Sequence, residues 1–179
     1  IIVLSNNDGC IIARSNEAKA LGLLMGEPVF KKKSIIDKDQ VHVFSSNFAL
    51  YGDMSNRVMS ILIQEGLQTE IYSIDEAFLN FSGVNDYALR ASTIVKKIKK
   101  CTGLPISIGV SKTKTLAKIA NHLAKNDTSN GVFCLTEPDL INKSLKKFPI
   151  EKVWGIGKQY TIFLKKHNIN TAYQFMRLN

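Results

Sequence analysis

Apolar positions in this chain recur at two periods, and the longer one predicts three helices. Tyr51, Met54, Val58, Ile61 and Leu62 return at helical spacing until Gly66 supplies a stop. Tyr87, Ala91, Ile94, Val95 and Ile98 predict a second helix over about 87–100, whose final lysines complement the helix dipole. A third spans 113–125. At about 100° per residue, Leu116, Ile119, Ala120 and Leu123 share one face, and Lys114, Lys118, His122 and Lys125 form a stripe opposite. That stripe reads as a solvated charged face or as a phosphate-binding one.

Shorter apolar runs predict strands. Positions 1–4 and 10–13 flank Asn6-Asn7-Asp8-Gly9, a strong hairpin turn, and 41–44 and 104–110 are further strands. Ser15 or Asn16 can cap a short helix over 17–21, which Gly22 ends. Positions 1–46 therefore read as a small subdomain with a Lys31-Lys32-Lys33 cluster inside it. Thr136-Glu137-Pro138-Asp139 has the form of a capping box and opens a new segment.

Between the first two long helices lies EIYSIDEAFLNF, positions 70–81. Ile71, Tyr72, Ile74, Ala77, Phe78, Leu79 and Phe81 predict a hairpin that buries at least one face, with Asp75 and Glu76 at its corner. Desolvated carboxylates need a cation, and hard oxygen donors suit Mg²⁺. The alternative is a tight turn whose acids face water, and spacing alone does not choose. Helix, two strands, helix and strand give αββαβ. A strand lost before position 1 would complete a ferredoxin-like βαββαβ sheet, an α+β fold. The chain opens inside an apolar run without Met, as an internal piece of a longer protein would.

Charge adds a partner class. The formal net charge is +9, and positions 137–179 hold eight Lys and Arg against three acids. A polyanion, most plausibly nucleic acid, fits such a surface. In that segment Val153-Trp154-Gly155-Ile156-Gly157-Lys158 precedes a helix bearing Tyr160, Phe163, Leu164 and His167. The two glycines permit a close backbone approach, and the next helix offers free amides to phosphate, as in a helix-hairpin-helix; a helix-to-helix turn that binds nothing would look similar. Cys10, Cys101 and Cys134 lie far apart without metal-binding spacing and read as reduced thiols. No run is long enough for a membrane span and no signal-peptide pattern is present, so the expected location is cytoplasmic.

With these residues in place, the chain resembles the Y-family DNA polymerases, and among them the bacterial UmuC type. The likeness runs through LSNNDGCIIARSNEAKALGLLMGEP at 4–28, FSSNFALYGDMSNRVM at 44–59, SIDEAF at 73–78, ISIGVSKTKTLAKIANHLAK at 106–125 and KVWGIGK at 152–158. The resemblance implies a partial fingers subdomain at 1–46, a partial palm at 47–135 and a partial thumb at 136–179. It implies that Asp75 and Glu76 are palm carboxylates for two Mg²⁺ ions. Lys19 and Lys125 would grip the incoming triphosphate, with Ser15 and Asn16 in the same fingers contact region, and Gly155, Gly157 and Lys158 would meet DNA. A family strand carrying another metal-binding Asp, and an aromatic that excludes ribonucleotides, would precede position 1.

The implied activity is error-prone translesion synthesis in SOS-type damage tolerance, on primer-template DNA and deoxynucleoside triphosphates. A UmuD-like subunit and the sliding clamp are implied partners. Two other classes remain open. A nucleotidyl cyclase with a similar palm needs such carboxylates but no basic helix-hairpin-helix, and a non-catalytic DNA-binding accessory protein would bind DNA without metal dependence.

Overall fold

A computed structural model describes residues 1–178, and the chain divides into two compact units, Ile1–Asp53 and Met54–Asn179. In the first unit β1 (Ile2–Leu4) pairs antiparallel with β2 (Ile11–Arg14) and parallel with β3 (Val43–Ser45). The expected turn joins β1 and β2, with Asp8 at φ 52° and the Ser5 hydroxyl accepting from the Cys10 amide. Helix α1 (Asn16–Ala20) starts at Ser15, whose hydroxyl accepts from the Ala18 amide. Ile2, Leu4, Ile11, Ala18 and Leu23 form the core of this unit. The lysine cluster runs from a 3₁₀ turn, Val29–Lys32, into α2 (Lys33–Lys38), a helix that the sequence pattern did not indicate.

In the second unit the elements follow the expected order. Helix α3 (Phe48–Gln64), which begins in the first unit, leads to β4 (Thr69–Ile71) and β5 (Ala77–Leu79). Helix α4 (Tyr87–Thr102) and β6 (Ile108–Ser111) come next. Asp86 caps α4 by accepting from the Leu89 amide, and Gly103, at φ 75°, ends it in a left-handed conformation that favours glycine. Met59 and Leu62 of α3 and Ile94 and Ile98 of α4 form a core on which Ala77, Leu79, Phe81, Ile106 and Ile108 pack. The two helices thus underlie β5 of the hairpin and β6.

The strands of this unit form two separate ladders. β4 pairs antiparallel with β5, and β6 pairs parallel with β7 (Val132–Leu135), a strand not foreseen. Between β6 and β7 runs α5 (Lys114–Asp127), capped by Thr113. The buried face of α5 joins Leu135, Leu145, Phe148, Ile150, Leu164 and Ala172 in one core, so residues on both sides of position 136 pack together.

The expected capping box at 136–139 does not form. Helix α6 (Pro138–Lys147) starts at Glu137 with no side-chain cap, and the Thr136 hydroxyl instead meets the Tyr87 hydroxyl at 3.1 Å. Proline at the first helical position removes one orphan amide without help from a cap. A capping box does open the last helix, α8 (Ala172–Met176), between Thr171 and Gln174. Helix α7 (Lys158–Lys166) lies between, and only Leu164 of its apolar residues is buried. Among the described residues no helix is long and apolar enough to cross a membrane, and the three cysteines are free.

Candidate active site

The corner between β4 and β5 is shaped by its own backbone. The amides of Tyr72 and Ser73 both donate to the Glu76 carbonyl at 3.0 Å, closing residues 72–76 into a tight loop. Ser73 donates its hydroxyl to Asp75 Oδ1 at 2.7 Å, and Ser55 of α3 donates to the Ile74 carbonyl, so both ends of the loop are held. Ile71, Tyr72 and Ile74 are about half exposed, contrary to the expectation that they bury a sheet face. Ala77, Leu79 and Phe81 alternate onto the helices, whereas Ile71 ends the ladder opposite Ala77, and Tyr72 and Ile74 lie beyond it in the corner.

Asp75 is exposed and Glu76 half-buried, and both line a cleft of about 870 Å³. Its walls are β5 on one side and β6 on the other, with Met59 and Leu62 beneath. The cleft is therefore the gap between the two ladders. It is large enough for a small ligand or an extended chain segment.

The charged stripe of α5 does not simply face solvent. Lys114 Nζ donates to both Glu70 oxygens at 2.7 and 2.6 Å, and Lys118 Nζ to both Glu76 oxygens at 3.0 and 2.8 Å. His122 stacks edge-on against Phe148 with ring centroids 5.4 Å apart. Lys125 lies seven residues beyond Lys118, about 10.5 Å along the same helix face, and is exposed. Sequence reasoning missed Lys114 and Lys118 as partners of the acidic hairpin. The available signal was one lysine face and two acids at 70 and 76, without the topology that opposes them.

Aromatic rings bring the glycine turn to this corner. Trp154 donates its indole N–H to the Tyr72 hydroxyl at 3.2 Å and meets the Tyr72 ring edge-on at 5.4 Å. Phe78 lies 5.8 Å from both rings. Gly155 follows at φ 89°, a conformation that excludes most side chains. Gly157 starts α7 without a side-chain cap, so the first amides of that helix, next to exposed Lys158, are available to an anion.

Ser15, Asn16 and Lys19 lie together in the first unit. The Lys19 ammonium donates to Asn16 Oδ1 at 3.2 Å, and the Ser15 hydroxyl serves as the α1 cap. The carboxyl of Glu17 is held below its ordinary pKa, chiefly by the Ser15 hydroxyl.

Asp75 and Glu76 are hard oxygen donors, and exposure of Asp75 leaves room for water or phosphate, as Mg²⁺ prefers. Among the described residues no further His, Cys, Asp or Glu joins them in a metal-holding group of three. The donor chemistry fits a divalent cation, with part of its ligand set.

Residues 1–122 match the model of the IMS family, described as impB/mucB/samB. The chain belongs to the impB/mucB/samB family. Within this family and its kin it is 45% identical over 177 residues to Protein UmuC of Salmonella typhimurium, covering 96% of the chain and 42% of that protein. It is 43% identical to Protein ImpB of Salmonella typhimurium, covering 100% of the chain and 44% of that protein. DNA polymerase IV of Corynebacterium diphtheriae is 30% identical, with 96% of the chain and 38% of that protein covered. The chain thus spans less than half the length of these relatives.

Among solved structures, DinB from Sulfolobus solfataricus superposes with a TM-score of 0.79 at 24% identity, covering 99% of this chain and 52% of that one. A Y-family polymerase chimera, Dbh-Dpo4(243-245)-Dbh, reaches 0.81 at 24% identity, covering 100% and 53%. The impB/mucB/samB chain therefore has the α+β fold of Y-family polymerases.

Proposed function

We propose that this chain carries catalytic parts of a translesion DNA polymerase, which adds deoxynucleotides to a primer on template DNA. The observation that carries the reading is the pair of adjacent carboxylates, Asp75 and Glu76, at the edge of an open cleft in a member of this family. Residues 1–46 serve as fingers, 47–135 as palm and 136–179 as thumb. Two Mg²⁺ ions, held in part by Asp75 and Glu76, would supply Lewis-acid stabilisation of the attacking and leaving oxygens. Asp75 stays available because it is exposed and Ser73, which donates to it, can turn its hydroxyl away. Lys125 and Lys19 offset charge on the leaving pyrophosphate, with Ser15 and Asn16 beside Lys19.

The cleft between β5 and β6 fits an additional strand of the same polypeptide, which would join the two ladders in the ferredoxin-like order and bring a further carboxylate. DNA and deoxynucleoside triphosphates are the substrates in this reading. A UmuD-like subunit, the sliding clamp, SOS-type regulation and a cytoplasmic location follow from the same kinship.

Calorimetric titration of Mg²⁺ or Mn²⁺ into the chain tests the carboxylate site. Binding is expected to be weak and to weaken further when Asp75 and Glu76 are both replaced by Ala. Equal affinity in both proteins would remove these carboxylates from any metal site.

The turn at 153–158 acts in this reading as a helix-hairpin-helix contact to the DNA backbone, without base readout. Duplex binding is expected to weaken as salt rises, and Lys158→Ala to make the log-log slope shallower by about one charge. A slope unchanged by the substitution would take Lys158 out of the interface.

A further inference from the structure

Lys118 is held by groups from two separate stretches of the second unit, the hairpin corner at 72–76 and the turn at Trp154. Its ammonium donates to both Glu76 oxygens, and it lies 5.1 Å from the Tyr72 ring centroid and 5.3 Å from that of Trp154. Trp154 is itself tied to Tyr72 by the indole hydrogen bond. The next residue is Gly155, where the left-handed turn toward the uncapped α7 begins. One ammonium thus touches the carboxylate at the edge of the cleft and the ring that seats the glycine turn.

These contacts cannot all persist when Glu76 binds another cation. A dication on the Glu76 oxygens competes with Lys118 for the same lone pairs and repels it. The faces of Tyr72 and Trp154 offer the displaced ammonium an alternative through cation–π attraction, which is strongest on indole. A shift of Lys118 toward those rings changes the environment of Trp154, and with it the anchor of the turn.

We propose that Lys118 is a positioning residue that couples the state of Glu76 to the seating of Trp154 and the phosphate-facing turn behind it. The proposal rests on the reading of Asp75 and Glu76 as a metal site and adds a link from that site to the DNA-backbone contact. With Glu76 free, Lys118 ties the acidic hairpin to the turn. With Glu76 committed to a cation, Lys118 gives up its carboxylate bonds and shifts closer to the rings, which changes how Trp154 seats the turn.

Trp154 is the chain's one tryptophan, so its emission reads this link directly. In the absence of metal, Glu76→Gln is expected to shift Trp154 emission in the parent chain and to leave it unmoved in a Lys118→Met background. In a parallel Mn²⁺ titration, loss of the free-ion electron paramagnetic resonance signal and the emission shift should follow one isotherm. Lys118→Met should keep Mn²⁺ binding and lose the emission response, and Lys118→Arg should restore part of it. Circular dichroism establishes that each variant is folded, and Lys118→Gln replaces Lys118→Met if the latter does not fold.

An equal emission shift from Glu76→Gln in both backgrounds, or none in either, would overturn the coupling. Bound Mn²⁺ with constant parent emission would overturn it as well. Absence of any bound Mn²⁺ would overturn the metal-site reading alone, because the metal-free Glu76→Gln comparison still decides the Lys118 link.

Discussion

Gly109→Ala is expected to unfold the contact between β6 and α5, although it adds a single methyl group. A Cβ at this position would fall inside the backbone of α5, 2.5 Å from the Ala120 carbonyl carbon and closer still to the Asn121 amide and the Ala117 carbonyl. All three are main-chain atoms, so no side-chain rotation can make room. Strand and helix would have to separate, loosening the core that Ile119 and Ala120 share with Leu135. The loss should reach at least the upper end of the ~1–3 kcal/mol that overpacking usually costs. For a protein of this size that corresponds to roughly 6–12 °C in melting temperature. Gly52→Ala, within α3 and with open space around its added Cβ, is the control and should be neutral or stabilising. Similar melting temperatures for Gly109→Ala and the parent would mean that β6 and α5 do not pack this closely.

The role of Gly109 shows where sequence reading stops. It stands in an apolar run whose strand character is legible, but the pattern contains no sign that a helix backbone crosses it. The helices were legible because their signal is local: Ala91, Ile94 and Ile98 recur at helical spacing and are fully buried in α4. β7 was missed because Val132–Leu135 is a short apolar run without alternation. Thr136 misled for a different reason, since its hydroxyl is taken by Tyr87, 49 positions away in the sequence.

The candidate site divides along the same line. Asp75 and Glu76 stood out because acids in an apolar hairpin are unusual. Their surroundings did not, because Lys118 comes from α5 and Trp154 lies 82 positions from Tyr72. The period of α5 marks which face is charged. Only the tertiary fold sets that face against the hairpin carboxylates.

Replacing Asp75 and Glu76 by Ala is expected to reduce primer extension by at least on the order of a hundredfold in a polymerase that contains this chain. The substitutions remove the hard oxygen donors found at the cleft edge. They also leave Lys118 without its carboxylate partner, so metal positioning and the local charge balance fail together. Primer-template binding should survive in large part, because the proposed phosphate contacts come from the α7 amides and Lys158 themselves, and loss of Glu76 changes only how Trp154 seats the turn before them. The 179-residue chain alone should extend no primer, since its two ladders leave a gap between β5 and β6 and, among the described residues, no further His, Cys, Asp or Glu joins Asp75 and Glu76 in a metal-holding group of three.

The most direct measurement is primer extension by a hybrid in which this chain replaces the matching segment of DNA polymerase IV from Corynebacterium diphtheriae. Hybrid, chain alone and hybrid with Asp75→Ala and Glu76→Ala are compared in Mg²⁺ with all four deoxynucleotides, at protein concentrations giving equal primer-template binding. Extension by the hybrid, and its loss in the double variant with DNA binding kept, is the predicted result. Undiminished extension by the double variant, or a folded and DNA-bound hybrid that never extends, would contradict the assignment of these carboxylates to phosphoryl transfer.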